Sequence, residues 1–198
     1  MTTTVFLVRH ASHDRLGRVL CGRMAGVTLS DEGLAQARRV ADRLAGEGLA
    51  AVYASPLERA VSTARPIALA AGVEPRIDDA LNEIDFGDWT GAAFEDLEGD
   101  DRWAAWNRER GTARAPNGES MAEAQARVVG WAERIGQAHP GQTVAAVSHG
   151  DIIKALIAHA LNLSLDDLHR FEISPASVSV IAAGDWGMKV HAVNEVSS

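Results

Sequence analysis

Four apolar residues, Val5-Phe6-Leu7-Val8, run directly into Arg9-His10-Ala11. So short a run, rich in strand formers, reads as a buried central β-strand rather than a helix. In open α/β sheets, ligands bind beyond the carboxyl ends of such strands. Arginine stays positive at any ordinary pH, and histidine can act as a neutral nucleophile or an acid–base group. An Arg-His pair at that point of a sheet suggests chemistry on an anion. Thr143-Val144-Ala145-Ala146-Val147-Ser148 repeats the arrangement and ends in His149-Gly150. If both strands are parallel and central, His10 and His149 arrive at one edge of the sheet.

The remaining chain alternates short strands with amphipathic helices. Ser30 is placed as the cap of a helix whose Leu34, Ala37, Val40, Ala41 and Leu44 form one apolar face, ended by Gly46 or Gly48. Ala51–Ala54 is a second strand. Ser55 then reads as the cap of a helix over roughly 57–71, with Pro56 in its first turn and Pro66 predicting a kink or a break. The glycine-interrupted, acidic-aromatic stretch from Leu81 to Gly91 fits a loop, with short helices around 92–98 and 101–110. Ser120 and Glu123 make a capping box for a helix over 121–138, closed by His139-Pro140-Gly141. A helix over 151–162 follows His149, and strands over 176–183 and 188–193 form a hairpin through Gly184–Gly187. This pattern is α/β: a three-layer α/β/α sandwich with a mostly parallel central sheet. Residues 1–198 read as a single domain carrying a short cap insertion around 84–118.

Composition narrows the function classes. The net charge is −8, from 19 Lys plus Arg against 27 Asp plus Glu, which argues against a nucleic-acid footprint. No stretch approaches the length of a membrane-spanning helix, and the opening Met1-Thr2-Thr3-Thr4 lacks a signal-peptide pattern. The single cysteine, Cys21, excludes an intrachain disulfide and a cysteine-rich metal cluster, and makes a cytoplasmic location the default. A homodimer stays open.

Arg59 lies in the first turn of the helix after the second strand, where a helix N-terminus adds donors for an anion. A surface ion pair with Glu58 or Asp88 is the bland alternative. Glu83 lies in the loop that can cover the same sheet edge; its bland alternative is a solvated carboxylate.

With these residues in view the chain resembles the histidine phosphatase superfamily, the phosphoglycerate-mutase-like proteins. Arg9-His10-Ala11 corresponds to the family's Arg-His-Gly, and Ser55-Pro56-Leu57-Glu58-Arg59-Ala60 opens its Ser-Pro-Leu-x-Arg-Ala segment. Leu81 through Gly91 matches Leu-x-Glu-x-x-Phe-Gly-x-Trp-x-Gly. Pro116-Asn117-Gly118-Glu119-Ser120 and Val147-Ser148-His149-Gly150 follow in family order.

The resemblance implies a phosphomonoesterase that needs no metal and no other cofactor, acting on a small phosphorylated metabolite. His10 would form a phosphohistidine, while Arg9, Arg59 and His149 would surround the phosphoryl oxygens. Glu83 would be general acid and then base, its pKa raised by Asp85 and partial burial. Gly150 would join the phosphate site. The chain departs from the pattern after His10: Ala11 replaces glycine, and Ser12-His13-Asp14-Arg15 replaces Glu-Thr-x-Trp-Asn. That removes an asparagine that often contacts phosphate, for which Ser12 or Arg23 could compensate. His13 could help bind substrate or be an exposed loop residue.

Two other functions stay open: a cofactor-dependent phosphoglycerate mutase or related phosphomutase, and a non-catalytic phosphate-binding protein. The short segment 92–115 favours hydrolysis over mutase activity, although Arg102, Arg108, Arg110 and Arg114 could bring positive charge to a second anionic group. Trp89, Trp103 and Trp106 could line the substrate mouth, but packing is the expected role for at least two of them.

Overall fold

The computed structural model describes residues 1–196. Six strands form one sheet in the order β3-β2-β4-β1-β5-β6. They are β1 (Thr3–Arg9), β2 (Leu49–Ala54), β3 (Pro75–Ile77), β4 (Thr143–Ser148), β5 (Val178–Gly184) and β6 (Gly187–Glu195). The first four run parallel; β5 pairs antiparallel with β1, and β6 antiparallel with β5. The hairpin is tighter than the sequence suggests. Gly184 pairs with Gly187, which leaves only Asp185 and Trp186 in the turn.

Alternation along the central strands creates two cores. Val5 and Leu7 of β1, Ala51 and Tyr53 of β2, and Val144 and Ala146 of β4 face one side. There they meet helix α5 (Met121–Ala138) and helix α6 (Gly150–Ala160), through Val128, Trp131, Ile152 and Leu156. Phe6 and Val8, Val52 and Ala54, and Ala145 and Val147 face the other side. They pack on α1 (Asp31–Leu44) and α2 (Glu58–Ala71) through Val40, Leu44, Ala60 and Ile67. A strand with a two-residue period can serve two helical layers only when both sets of side chains are apolar. The expected three-layer sandwich with a mostly parallel sheet is therefore the observed fold.

Local signals hold at most helix ends. The Ser30 side chain accepts from Gly33 N, and the Ser120–Glu123 capping box is complete. Two expectations fail. Leu57, not Ser55, is the N-cap of α2, and it makes no side-chain cap bond. Of the kink or break expected at Pro66, the break is absent: α2 continues through it, anchored on either side by buried Thr63, Ala64, Ile67 and Ala68. Tertiary packing here outweighs the local cost of proline.

Between β3 and α5 the chain carries a 3₁₀ turn (Asp79–Leu81), a second (Gly87–Trp89) and the short helices α3 (Phe94–Leu97) and α4 (Asp101–Arg108). Trp89 and Trp106 are buried, and Trp103 packs edge-on against Trp89 with ring centroids 5.3 Å apart. All three tryptophans pack this segment onto the α5 and α6 side of the molecule.

Candidate active site

Strand register builds the floor of the site. Arg9 is paired with Ser148 across parallel β1 and β4, and His10 N donates to Ser148 O at 2.9 Å. His10 and His149 therefore leave the sheet side by side, their ring centroids 5.2 Å apart. On the other flank of β4, Ala54 pairs with Val147 and Ser55 N donates to Val147 O. Ser55, displaced from its expected capping role, is instead buried beneath His149, with Oγ 2.8 Å from Nε2.

These strand ends open into a cavity of about 410 Å³ lined by Arg9, His10, His13, Arg59, Glu83 and Gly150, among others. Gly150 begins α6, and its lack of a side chain admits Arg9, whose Nε would lie 3.3 Å from a Cβ there. Arg9 is anchored by donating Nη1 to Ile173 O at 2.5 Å, and Arg59 by donating Nη2 to Gly22 O at 2.7 Å. Arg9 Nε and Arg59 Nε and Nη1 are buried without a partner among the described residues. Burying charged donors unpaired is costly, and an anionic ligand removes that cost.

The tautomers follow from the neighbours. A carbonyl only accepts, so His10 Nδ1 carries a proton and donates to Ala11 O at 2.9 Å. Nε2 keeps its lone pair. Burial, then Arg59, then Arg9 and His13 hold the His10 pKa well below its ordinary value, so the ring is neutral near pH 7. Arginine only donates, so His149 Nδ1 accepts from Arg59 Nη2 at 3.3 Å and Nε2–H donates to Ser55 Oγ. Burial and then Arg59 lower its pKa as well.

Glu83 comes from the loop, not the sheet. Its Oε2 is 3.7 Å from His149 Nδ1, and its Oε1 accepts from Ile84 N at 3.0 Å. Burial, followed by the carboxylate of Asp151, pushes its pKa up to about 7 against Arg59, the Ile84 N–H and Arg9. The expected contribution of Asp85 is absent from those causes. Asp85 Oδ1 instead accepts from Gly87 N, and its other oxygen faces Arg23 at 3.7 Å.

A family model, histidine phosphatase superfamily (branch 1), matches residues 5–196. The chain belongs to the histidine phosphatase superfamily. It is 34% identical over 182 residues to phosphoserine phosphatase 1 of Hydrogenobacter thermophilus, covering 89% of this chain and 85% of that protein. It is 32% identical over 200 residues to a bifunctional protein of Mycobacterium tuberculosis, spanning 98% of this chain but only 54% of that one. Among solved structures, YhfR of Bacillus stearothermophilus superposes with a TM-score of 0.92 at 28% identity, over 98% of each chain. As a histidine phosphatase the chain is a phosphomonoesterase of small phosphorylated metabolites.

Within this phosphatase, Arg9, His10, Arg59, Glu83 and Gly150 line the cavity at one sheet edge, and fully buried His149 lies against His10, Arg59 and Glu83 without lining it; Ser12 and Arg23 do not line it either. The Ser12 backbone is tied to α1: its N–H donates to Gln36 Oε1 and its carbonyl accepts from Ser30 N. Gly33 is required opposite it, since a Cβ there would collide with the Ser12 carbonyl. Arg23 donates Nε to the Glu83 carbonyl at 2.8 Å and pairs with Glu119 at 3.1 Å, so it holds the loop rather than the ligand. The side chains missed in the sequence are Ser55, Asp151, Lys154 and Glu172, whereas His13, read as either a substrate contact or an exposed loop residue, is buried in the cavity wall. Asp151 had the same signal as Arg59, the first turn of a helix after a strand. For Lys154 and Glu172 no local pattern existed.

Proposed function

We propose that His10 is the nucleophile and Glu83 the proton donor in a two-step hydrolysis of a phosphate monoester. His10 Nε2 attacks phosphorus and the bond to the leaving oxygen breaks as that oxygen takes the Glu83 proton. Glu83, now a carboxylate, then accepts a proton from water. The water oxygen attacks phosphorus, the phosphorus–nitrogen bond breaks, and His10 is regenerated. Arg9 and Arg59 stabilise the charge on the equatorial oxygens with donors already desolvated. A bound phosphate dianion offsets the two arginines, which favours a protonated His149. The observation that carries this reading is the pairing, in one cavity, of a neutral His10 with a free Nε2 and a Glu83 protonated near neutrality.

Water is the favoured acceptor. The four arginines that could have served a second anionic group are already paired: Arg102 with Asp100, Arg108 with Glu109, Arg114 with Glu123, and Arg110 with Asp151 of the cavity's outer wall. None of them lines the cavity. The outer wall instead offers Asp151, Lys154 and Glu172, with Lys154 Nζ 3.5 Å from Glu172. Alternating carboxylate and ammonium groups suit a zwitterionic or hydroxyl-rich leaving group, and phosphoserine, named for the Hydrogenobacter relative, is the first candidate. The chain acts as one domain with residues 84–118 as its cap, and its single cysteine fits a cytoplasmic setting.

The test is phosphate release from a panel holding O-phosphoserine, sugar phosphates, nucleotides and 3-phosphoglycerate, with phosphoglycerate interconversion followed in parallel. Release with acid-labile, base-stable labelling of the protein is expected. Efficient interconversion with negligible release would make it a mutase, and neither activity would leave a phosphate-binding protein.

A further inference from the structure

The segment after His10 leaves one cavity group without a role. His13 is only 7% exposed and stacks on His10, with ring centroids 5.4 Å apart and planes 28° from parallel. It lines the cavity beside Arg9, His10 and Arg59. Its Nδ1 is buried and has no hydrogen-bond partner among the described residues, which leaves Nε2 as the nitrogen that reaches the cavity. A buried unpaired acceptor is better tolerated than a buried unpaired N–H, so the favoured neutral tautomer carries its proton on Nε2.

We propose that His13 is a substrate-binding residue that donates its Nε2–H to an oxygen of the bound phosphoryl group. The proposal rests on the phosphatase reading of the cavity. It explains how the site works without the asparagine missing after Arg9-His10: Ser12 and Arg23 do not line the cavity, and His13 does. Charge explains why a neutral donor suits this position. A second cation stacked on His10 would weaken its lone pair as a nucleophile. Burial, then Arg59 and Arg9, hold the His13 pKa down to about 4, so the ring stays neutral at working pH. The stacked ring also limits rotation of His10, keeping Nε2 toward the phosphoryl group.

Three forms of the full chain separate the donor from the stack. His13→Phe keeps a ring on His10 and removes the N–H; His13→Gln places an amide N–H near the position of Nε2. The probe is inorganic phosphate, with affinity measured by calorimetry and the wild-type His13 ring nitrogens followed by ¹⁵N NMR. Expected results are about tenfold weaker phosphate binding in His13→Phe, affinity within about threefold of wild type in His13→Gln, and a His13 Nε2 resonance that moves on saturation. Unchanged affinity in His13→Phe, or a His13 signal indifferent to phosphate, overturns the proposal while leaving the phosphatase reading intact. Phosphate binding through His13 without turnover of any ester would instead uphold this proposal and remove that reading. Should a variant fail to fold, the wild-type NMR measurement decides alone.

Discussion

The two histidines and the glutamate of this site reach the same sheet edge by different physical routes. His10 and His149 are carried there by β1 and β4, whose backbone ladder sets Arg9 opposite Ser148. Glu83 belongs to no strand or helix, and side chains hold its loop. Arg127 donates to the carbonyls of Ala80 and Asn82, both at 2.8 Å, and forks onto Glu119 at 2.9 and 3.1 Å. Glu119 in turn takes Arg23, which holds the Glu83 carbonyl. Gly118 completes the clamp, because a Cβ there would strike the Asp85 carbonyl. Backbone register delivers the nucleophile; a partly buried ion network delivers the acid.

This difference can be broken from either side. His10→Ala should abolish turnover and phosphoenzyme labelling, a loss of at least about 10⁴-fold, because covalent catalysis has no substitute. Retained turnover would sink the mechanism. Glu83→Gln should cost about 10²–10⁴-fold on alkyl phosphates and far less on aryl phosphates, whose leaving oxygens need no proton. Equal losses on both would deny Glu83 the acid role.

The same variant carries a stability test of opposite sign. Glu83 has a folded-state pKa of about 7, above the ordinary carboxyl value of 4.5. Stability from its protonated form is complete below pH 4.5 and is lost as pH rises through 7. Glu83→Gln, which never ionises, should therefore melt above wild type at pH 8 by a few degrees, on the order of 5 °C, and match it near pH 4.

Arg23→Met tests the clamp itself. It should reduce kcat by roughly 10–100-fold through misplacement of Glu83, while inorganic phosphate binds nearly as before. An equal loss in phosphate affinity would return Arg23 to the binding site.

Asp151→Asn should shift the pH profile more than the maximal rate. Removing a neighbouring negative charge lowers the Glu83 pKa, so the fall in activity on the alkaline side should move to lower pH. Arg102→Ala and Arg114→Ala remove surface pairs that do not line the cavity and should leave kcat/KM within about twofold. A larger loss would revive a second anion subsite in the cap.

Much of this molecule was legible in order along the chain. Residues 5–8 and 143–148 announced buried strands ending in histidines, and Ser120 with Glu123 announced the start of α5. Those features are legible because one period or one cap depends on neighbours a few residues apart. Pro66 and Ser55 show the limit. Their local preferences for a break and for a cap were overridden by contacts with α2's buried face and with His149. Asp85 was named as the neighbour that raises Glu83 and Asp151 was not, because sequence distance stood in for spatial distance.

The sequence by itself determined the α/β alternation, the sheet-edge histidines and the resemblance that named Arg9, Arg59 and Glu83. Only the tertiary structure decided that Arg23 holds the Glu83 loop from outside the cavity, that Ser12 does not line it, that His13 does, and that the cap arginines are already paired. Motifs report which groups a chain carries. Which groups face a common cavity depends on strand register and on contacts between segments 60 to 100 residues apart, such as the Arg23 hydrogen bond to the Glu83 carbonyl and its ion pair with Glu119, and no local pattern encodes those.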